Sequence, residues 1–444
     1  MEDVMVVRRS VRGISASRVV AFMLALSNLG HAAVSRGPWL QLPTTHSMNI
    51  RWATLPAEIC TVRWGLASTS EHAQVETAAT TLHSMTLDGL QPGTAYRYEI
   101  VPPGGPSTGV YTFKTAPSSA TGPLKIAVIG DSQDATATGY ALQRLTAEQP
   151  DIILHNGDNC YSTIEDWSLS ASRPVLAQAP LLVSVGNHDA DGGINGKYNA
   201  WEGWFGIPAE RPIAAKGDCY AFEYAGVKLF AYSNGYTYTS AYDQYWTDAM
   251  VDKFFTPYAV QATFFSDQLQ QAQGHCRFIM MFGHRYLFGS DMAELSSVLQ
   301  PDNPYRVDLI TNGHDNSYES QFLSQYALWS FESAGLAGTP GHYVMVTLTT
   351  QGDSTRADVV AKRSQDGAVL AQWSFYSKQP AVSVSRGAVN RPASVMPHAA
   401  GDGSAMLFDV RGRVVTGRSV TAGVYVVRAR KTARTECWSA GVLE

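Results

Sequence analysis

Five apolar, strand-like runs in the middle of the chain each end in a glycine that is followed at once by Asp, Asn or His. These are residue types that bind metal ions or exchange protons. The runs are LKIAVIG before Asp131, DIILHNG before Asp158, LLVSVG before Asn187 and His188, RFIMMFG before His284, and DLITNG before His314. One such junction is more often a turn or a helix cap. Five in order predict a shared site.

The elements around these junctions are typical of an α/β domain. From Leu124 to about Phe375, apolar runs alternate with helical stretches such as TGYALQRLTAEQ and FFSDQLQQAQ. This alternation predicts a layered domain over 124–377, with β-sheets flanked by helices. Sheets of this kind bind ligands beyond the carboxyl ends of their strands. We therefore expect the five junctions to converge at one edge.

Two carboxylates, two imidazoles and an amide at one edge predict a site for two metal ions. A carboxylate can bridge two cations, imidazole suits zinc or divalent iron, and an amide oxygen is a neutral ligand. Two such ions can clamp a phosphate ester and lower the pKa of bound water. The composition of this site therefore favours phosphoester hydrolysis.

The flanking segments have different patterns. Residues 37–117 alternate apolar and polar residues between turn signals, which predicts a small antiparallel β-sandwich. Within it, LDGLQPGTAYRYEI resembles the strand entry of fibronectin type III domains. Residues 378–403 are rich in Pro, Ser, Ala and Gly and predict a linker, and residues 404–444 predict a small C-terminal β-sandwich.

Composition and the first residues restrict the location and the partners. With 45% hydrophobic residues in 444, the chain has enough apolar side chains for several cores. A net charge of -5 leaves no basic excess for binding nucleic acid. Residues 1–33 place arginines before the apolar run VVAFMLALSNLG, as in a secretory signal peptide. No later segment has the roughly 18 to 20 apolar residues that span a bilayer, so we expect an exported protein without an integral membrane span.

Two of the junctions carry a more specific pattern. GDNCY at 157–161 and GNHD at 186–189, together with the two later histidines, resemble the calcineurin-like metallophosphoesterases. The Gly-Asp-x-x-Tyr form resembles, within that superfamily, the purple acid phosphatases, and the resemblance extends from residue 37 to about 377.

The resemblance implies a role for each junction. Asp158 would bridge two metal ions, with Asp131 and Tyr161 at an iron-type site. The second ion, zinc, manganese or iron, would be bound by Asp158 together with Asn187, His284 and His314. His188 would face the substrate phosphate or leaving group as a hydrogen-bond donor or general acid, and Arg285 would be within reach of the phosphate.

The sequence departs from the pattern at the first metal. The family has histidine at position 316, where this chain has Asn316, and related enzymes have histidine where it has Gln133. Either both amides coordinate through oxygen, with an altered metal preference, or the first metal is lost. An all-oxygen site would favour ferric iron, manganese or magnesium over zinc.

The expected function is that of an exported bacterial phosphatase, secreted or held at the cell surface. It would hydrolyse small phosphate monoesters by attack of a metal-bound hydroxide. Two alternatives stay open: a phosphodiesterase or nucleotide pyrophosphatase on the same scaffold, and a degenerate domain that serves as a surface binding module. The tail motifs FDVRGRVV and AGVYVVRARK resemble C-terminal sorting domains of bacterial type IX secretion. The secretion machinery is therefore an expected partner, and the oligomeric state stays open.

Overall fold

The fold was analysed in a computed structural model of the chain. The residues that it describes are 33–118, 122–132, 135–159, 174–190, 203–214, 216–234, 255–288, 293–299, 305–315, 318–323, 328–333, 336, 341–378, 406–408, 425–432 and 435–442. The predicted signal peptide and linker lie almost wholly outside these ranges and stay predictions. Among the described residues, no helix has the length and apolar character needed to cross a bilayer.

The amino-terminal strands form a two-sheet antiparallel sandwich, in agreement with the alternation of the sequence. In AYRYEIV, for example, Tyr96, Tyr98 and Ile100 point into the core while their neighbours are more exposed. The first sheet has the order β1-β2-β5 and the second β4-β3-β6-β7. The strands are β1 Val34–Gln41, β2 Met48–Glu58, β3 Thr61–Gly65, β4 His72–Val75, β5 Thr80–Leu87, β6 Ala95–Val101 and β7 Tyr111–Lys114.

The central domain consists of two six-stranded sheets, with orders β10-β9-β8-β17-β18-β19 and β11-β12-β13-β14-β16-β15. The strands of the first sheet are β8 Leu124–Ile129, β9 Ile152–His155, β10 Leu181–Val183, β17 His342–Gln351, β18 Ser354–Arg363 and β19 Val369–Lys378. Those of the second are β11 Tyr220–Tyr224, β12 Val227–Ala231, β13 Phe278–Phe282, β14 Leu309–Asn312, β15 Tyr318–Leu323 and β16 Leu328–Ser333.

The parallel strands determine where the site residues lie. Strands β8, β9 and β10 are mutually parallel, and so are β12, β13 and β14. Their carboxyl ends therefore meet at one edge of each sheet. All five Gly-Asp, Gly-Asn and Gly-His junctions follow strands of these two sets.

The cores confirm the predicted layers of sheets and helices. Side chains of both sheets, including Val128 and Phe282, share a core between them. Ala141 of the first helix packs on the outer face of the first sheet, and Phe265 of the third helix packs on the outer face of the second. The helices are α1 Ala135–Glu148, α2 Asn187–Ala190, α3 Tyr258–Ala272 and α4 Ala293–Ser296, and a 3₁₀ turn spans Ser297–Leu299.

The sandwich is bonded directly to the central domain. The hydroxyl of Tyr98 donates to the carbonyl of Ala177 at 2.8 Å, and the amide of Leu40 donates to the carbonyl of Leu176 at 2.9 Å. Trp39 is fully buried within the core that α1 covers, and its ring stacks on Trp204 at 5.5 Å. The segment that leads into β10 is therefore held from both domains.

In the predicted C-terminal domain the described residues are three antiparallel strands in the order β20-β21-β22. They are β20 Met406–Phe408, β21 Tyr425–Thr432 and β22 Thr435–Val442. Strands are therefore present where the alternation predicts them, and a sorting role for this segment stays a prediction.

Candidate metal centre

The two aspartates follow neighbouring parallel strands and lie in adjoining turns. Asp131 and Asp158 come shortly after β8 and β9, and both adopt left-handed backbone conformations, with φ of 52° and 53°. Aspartate tolerates this region better than most residues. The amide of Asp131 donates to the carbonyl of Gly157 at 3.1 Å, and the amide of Ser132 donates to the carbonyl of Asp158 at 3.0 Å. These bonds hold the two turns side by side.

The glycines before the ligand-type residues are required because the turns approach one another closely. A Cβ at Gly157 would lie 2.8 Å from the amide nitrogen of Gly186 and 2.9 Å from Nδ1 of His284. One at Gly186 would collide with the carboxylate of Asp158, and one at Gly313 would lie 2.6 Å from Oδ2 of Asp131. Real Cβ atoms essentially never approach other atoms so closely, so a side chain at any of these positions would force its neighbours to shift.

His284 is held so that one ring nitrogen faces the aspartates. Its Nδ1 donates to the carbonyl of Asn156 at 3.0 Å. Its Nε2 lies 2.9 Å from Oδ1 of Asn187 and 3.2 Å from Oδ1 of Asp158. A backbone partner on one nitrogen is the usual way in which a metal-binding histidine is oriented. One ligand atom each from Asp131, Asp158 and His284 lies within 4.8 Å of the others.

His314 and His188 both contact this cluster. Nδ1 of His314 is 3.3 Å from Nε2 of His284, and its amide donates to Oδ2 of Asp131 at 3.1 Å. The amide of His188 donates to Oδ1 of Asp158 at 2.9 Å, while its Nε2 lies 4.0 Å from Oδ2 of the same residue. Its side chain is 26% exposed, so His188 is accessible to solvent beside the buried cluster.

The aspartates have opposite pKa shifts. Burial raises the pKa of Asp131 to about 7, and the charge of Asp158 acts in the same direction. Burial also favours the neutral form of Asp158, but the imidazoles of His284 and His188 outweigh it and lower its pKa. The two acids are therefore inequivalent, as expected where like charges are held close together.

The histidines are inequivalent as well. Burial opposes the charged form of His284, but Asp158 and Asp131 outweigh it and raise its pKa to about 9. Burial and the neighbouring His284 lower the pKa of His314 to about 4. A cation bound by these side chains would replace the proton of His284 as the partner of the carboxylates.

The residues present fit a metal ion. Oδ1 of Asp131 is buried and makes no hydrogen bond to any described residue. A buried carboxylate oxygen without a partner is costly in a folded protein, and a cation would remove that cost. Carboxylate, amide and imidazole donors together suit zinc, iron and manganese.

The structure brings together six of the nine residues that the sequence assigns to the site: Asp131, Asp158, Asn187, His188, His284 and His314. Arg285 follows directly, with its amide donating to Oδ1 of Asn234 at 2.9 Å. Tyr161 and Asn316, like Gln133, lie outside the described residues, so the rest of the first metal's ligands stay a prediction.

Sequence reasoning did not identify the side chains that support the cluster. Nδ2 of Asn159 donates to Oδ2 of Asp189 and to the carbonyl of Ser184, both at 2.8 Å, and Gly186 donates to the same carboxylate oxygen at 2.8 Å. Asn156 donates to Oγ1 of Thr311 at 2.8 Å. Each lies next to a predicted ligand turn and is fully buried. A polar residue directly beside a predicted ligand turn is the sequence signal that could have identified these supporting side chains.

His155, within β9, is buried and lies 2.6 Å from Oγ of Ser132. Burial lowers its pKa to about 3. His155 therefore supports the turn that carries Asp131 from inside the core.

Comparison with known proteins matches both folded units. Residues 124–318 match the family model of the calcineurin-like phosphoesterases, and residues 38–115 match the purple acid phosphatase N-terminal domain. Purple acid phosphatase 15 of Arabidopsis thaliana is 25% identical over 276 residues, which cover 54% of this chain and 49% of that protein. Purple acid phosphatase 13 of the same plant is 25% identical over 300 residues, covering 56% and 52%. The chain thus spans about half the length of these relatives.

A solved structure titled PhoD has a similar fold. It aligns with a TM-score of 0.60 and 12% identity, covering 78% of this chain and 91% of PhoD. At that identity the likeness concerns the fold alone.

Taken together, the paired sheets, the strand-end cluster and the family match define a calcineurin-like phosphoesterase domain, the fold of metal-dependent phosphoester hydrolases. The match of the preceding sandwich points to one group of proteins within this superfamily. The chain joins a match to the purple acid phosphatase N-terminal domain to this phosphoesterase domain, and it is similar to purple acid phosphatases over about half of its length.

Proposed function

We propose that this protein hydrolyses phosphate monoesters at a centre of two metal ions. The observation that supports this most is the buried cluster of Asp131, Asp158 and His284, in which one carboxylate oxygen has no hydrogen-bond partner among the described residues. Small phosphorylated compounds are the proposed substrates.

The proposed second metal site consists of Asp158, Asn187, His284 and His314, and takes zinc, manganese or iron. Asp131 and Tyr161 would hold iron at the proposed first site, Asn316 would contribute an amide oxygen, and Asp158 would be shared between the two sites. Metal ions at such a centre neutralise phosphate charge and make bound water a stronger acid.

The chain's own residues account for orientation and proton transfer. The Asn156 carbonyl fixes the His284 ring, and the hydrogen bonds of Asn159 to Asp189 and Ser184 fix the turn that carries Asn187. His188 is a partly exposed imidazole whose Nε2 lies 4.0 Å from Oδ2 of Asp158. We assign to its Nε2 the donation of a proton to the leaving oxygen, and to Arg285 the binding of the substrate phosphate.

Metal analysis combined with an assay on a chromogenic phosphate monoester tests this function. We expect two metal ions per chain at this centre, counted as the metal that is lost in Asp158→Asn, together with turnover of the monoester and much slower turnover of a bis-substituted phosphate. Faster turnover of the bis-substituted compound would favour the phosphodiesterase. One metal per chain and no turnover on either compound would favour a degenerate binding module.

Two variants separate the roles. His188→Gln is expected to lower kcat roughly 10²-fold or more without loss of metal, because general acids contribute about 10² to 10⁴. Asn316→His restores an imidazole at the first site and is expected to bind iron more tightly. If its iron affinity is unchanged, Asn316 is not a ligand position.

We further propose that the protein is exported, on the basis of the signal-like residues 1–33 and the sorting-like tail. Amino-terminal sequencing of the mature protein tests the first point, and a cleavage site near Ala32 or Ala33 is expected. An intact Met1 in the mature protein would contradict it.

A further inference from the structure

A second group of metal-ligating side chains lies in the amino-terminal sandwich, far along the chain from the strand-end junctions. The chain passes between the two sheets of the sandwich at residues 59–60, between β2 and β3, and again at 76–79, between β4 and β5. Cys60 and Glu76 lie at these two crossings, and His83 lies on β5. The amide of Cys60 donates to Oε2 of Glu76 at 2.8 Å, and the amide of Glu76 donates to the carbonyl of Cys60 at 3.1 Å.

The ring of His83 is fixed on three sides. It stacks on Trp52, its cross-strand partner, with centroids 4.7 Å apart and planes 6° from parallel. Its Nε2 lies 2.8 Å from Oγ1 of Thr54, and its Nδ1 lies 2.9 Å from both carboxylate oxygens of Glu76. The ring is fully buried. A histidine oriented through one nitrogen, with the other directed at an anion, has the arrangement of a metal ligand with its supporting partner.

Cys60 adds a thiol to this pair. It is a free, fully buried cysteine, and ligand atoms of Cys60, Glu76 and His83 all lie within 4.8 Å of one another. Burial raises the pKa of the Cys60 thiol to about 11, and the carboxylates of Glu76 and Glu58 act in the same direction. Burial thus disfavours the thiolate, and a divalent cation bound beside the thiol would favour it.

We propose that Cys60, Glu76 and His83 form a structural zinc site in the sandwich. This site is separate from the candidate metal centre of Asp131, Asp158, Asn187, His284 and His314, which is called the strand-end centre below. Thiolate, imidazole and carboxylate are the three side-chain ligands that zinc uses in proteins, and cysteine distinguishes this set from the thiol-free ligand set of the strand-end centre. Ligands about 2.0 to 2.3 Å from a tetrahedral zinc lie roughly 3.3 to 3.8 Å apart. The three ligand atoms lie within 4.8 Å of one another, so binding zinc requires them to approach to that spacing.

Zinc binding at this site would release one proton to solvent. The thiol of Cys60 loses its proton on becoming a ligand. The ring proton of His83 moves from Nδ1, which binds zinc, to Nε2, where the hydroxyl oxygen of Thr54 accepts its hydrogen bond. The second oxygen of Glu76 or a water molecule completes four-fold coordination. The ion would thus join two of the crossings between the two sheets, at residues 59–60 and 76–79.

The full-length protein, stripped of metal with a chelator and titrated with Co²⁺, tests the proposal. Cobalt replaces zinc in thiolate sites and gives a thiolate-to-metal charge-transfer band in the near ultraviolet. We expect this band in the wild type, its loss in Cys60→Ser, and its displacement by added Zn²⁺. Cys276→Ser is the matched control, because Cys276 is a buried cysteine that also lies beside a His and a Glu. It should keep the band.

Further variants keep the outcome decisive. Glu76→Gln preserves a hydrogen-bond acceptor for His83 but removes the charge, so it should fold and bind Co²⁺ at least tenfold more weakly. Asp158→Asn, which disrupts the strand-end centre, should leave the band unchanged, so failure of the proposed phosphatase activity would not affect this result. Absence of the band in the wild type, or its persistence in Cys60→Ser, would show that the three residues form only a hydrogen-bonded cluster and overturn the proposal.

Discussion

The strand-end centre and the Cys60–Glu76–His83 cluster both orient a buried histidine, but their residues have different backbone conformations. Each buries a histidine whose second ring nitrogen is held by an oxygen, the carbonyl of Asn156 in one and the hydroxyl of Thr54 in the other. The strand-end centre stands on turns in which Asp131, Asp158 and His314 have positive φ. None of the three residues of the sandwich cluster does.

This difference in backbone conformation indicates that the two clusters respond differently to substitution. Left-handed backbone at residues other than glycine costs free energy and persists where the surroundings enforce it, as is common at functional sites. The sandwich cluster lies on strands and crossings that its fold would form in any case. We therefore expect substitutions at the strand-end centre to affect activity with little effect on folding, and substitutions in the sandwich cluster to do the reverse.

The largest effect is expected for Asp158→Asn. The amide would not supply the charge of the proposed bridging carboxylate, and several kcal/mol of transition-state stabilisation would be lost, equivalent to roughly 10³-fold or more in kcat/KM. Metal content should fall as well. Steady-state kinetics and metal analysis measure both, and circular dichroism should show an intact fold. Retention of more than a tenth of the activity would contradict the bridging role.

Gly186→Ala tests the backbone side of the comparison. The added methyl group would collide with the carboxylate of Asp158, and we expect kcat/KM to fall about 10²-fold because a displacement of about 1 Å in a catalytic group has that effect. Gly122→Ala is the matched control, since a Cβ there meets nothing within 4 Å and its φ is not positive. Equal activity of the two variants would mean that the turn can relax.

Asn159→Ala removes a support of the strand-end centre without touching a ligand. Its hydrogen bonds to Asp189 and Ser184 would be lost, and outer partners of metal ligands typically contribute about 10- to 100-fold in affinity or activity. We expect a drop in that range, with weaker metal binding on titration of the metal-free protein. An unchanged metal affinity would assign Asn159 to folding alone.

Asp218→Asn shows how much stability depends on a buried carboxylate outside both clusters. It accepts hydrogen bonds from the amide and hydroxyl of Thr256 at 2.7 and 2.8 Å, and burial raises its pKa. A raised pKa in the folded state means that its stabilising contribution is complete below the unfolded value, about 3.9, and is lost as the pH rises through the folded value.

We therefore expect Asp218→Asn to be destabilised by about 1 kcal/mol at pH 5, through a weakened hydrogen bond, and by less at pH 7. Urea unfolding at the two pH values measures the difference. A destabilisation that grows with pH would contradict the direction of the shift.

The sequence predicted the parts of the structure that follow from repeated patterns. Alternation predicted the sandwich, and strands alternating with helices predicted the paired sheets. The five strand-end junctions predicted which residues meet, because parallel strands end at one edge. The opposite pKa shifts of Asp131 and Asp158 could not be predicted, since they depend on distances to His284 and on burial. Cys60, Glu76 and His83 were missed because their spacing follows no metal motif and only the two crossings bring them together.

The burial of Trp39 limits how freely the sandwich can be separated from its neighbour. Its indole fills part of the core that α1 covers, beside Leu142 and Leu176. Expression of the α/β domain without β1 would leave a void of indole size there, and loss of a buried tryptophan typically costs about 3 to 5 kcal/mol. The sandwich therefore cannot be exchanged for another domain without loss of part of the α/β core. A graft of this phosphoesterase domain onto another protein must carry β1 with it.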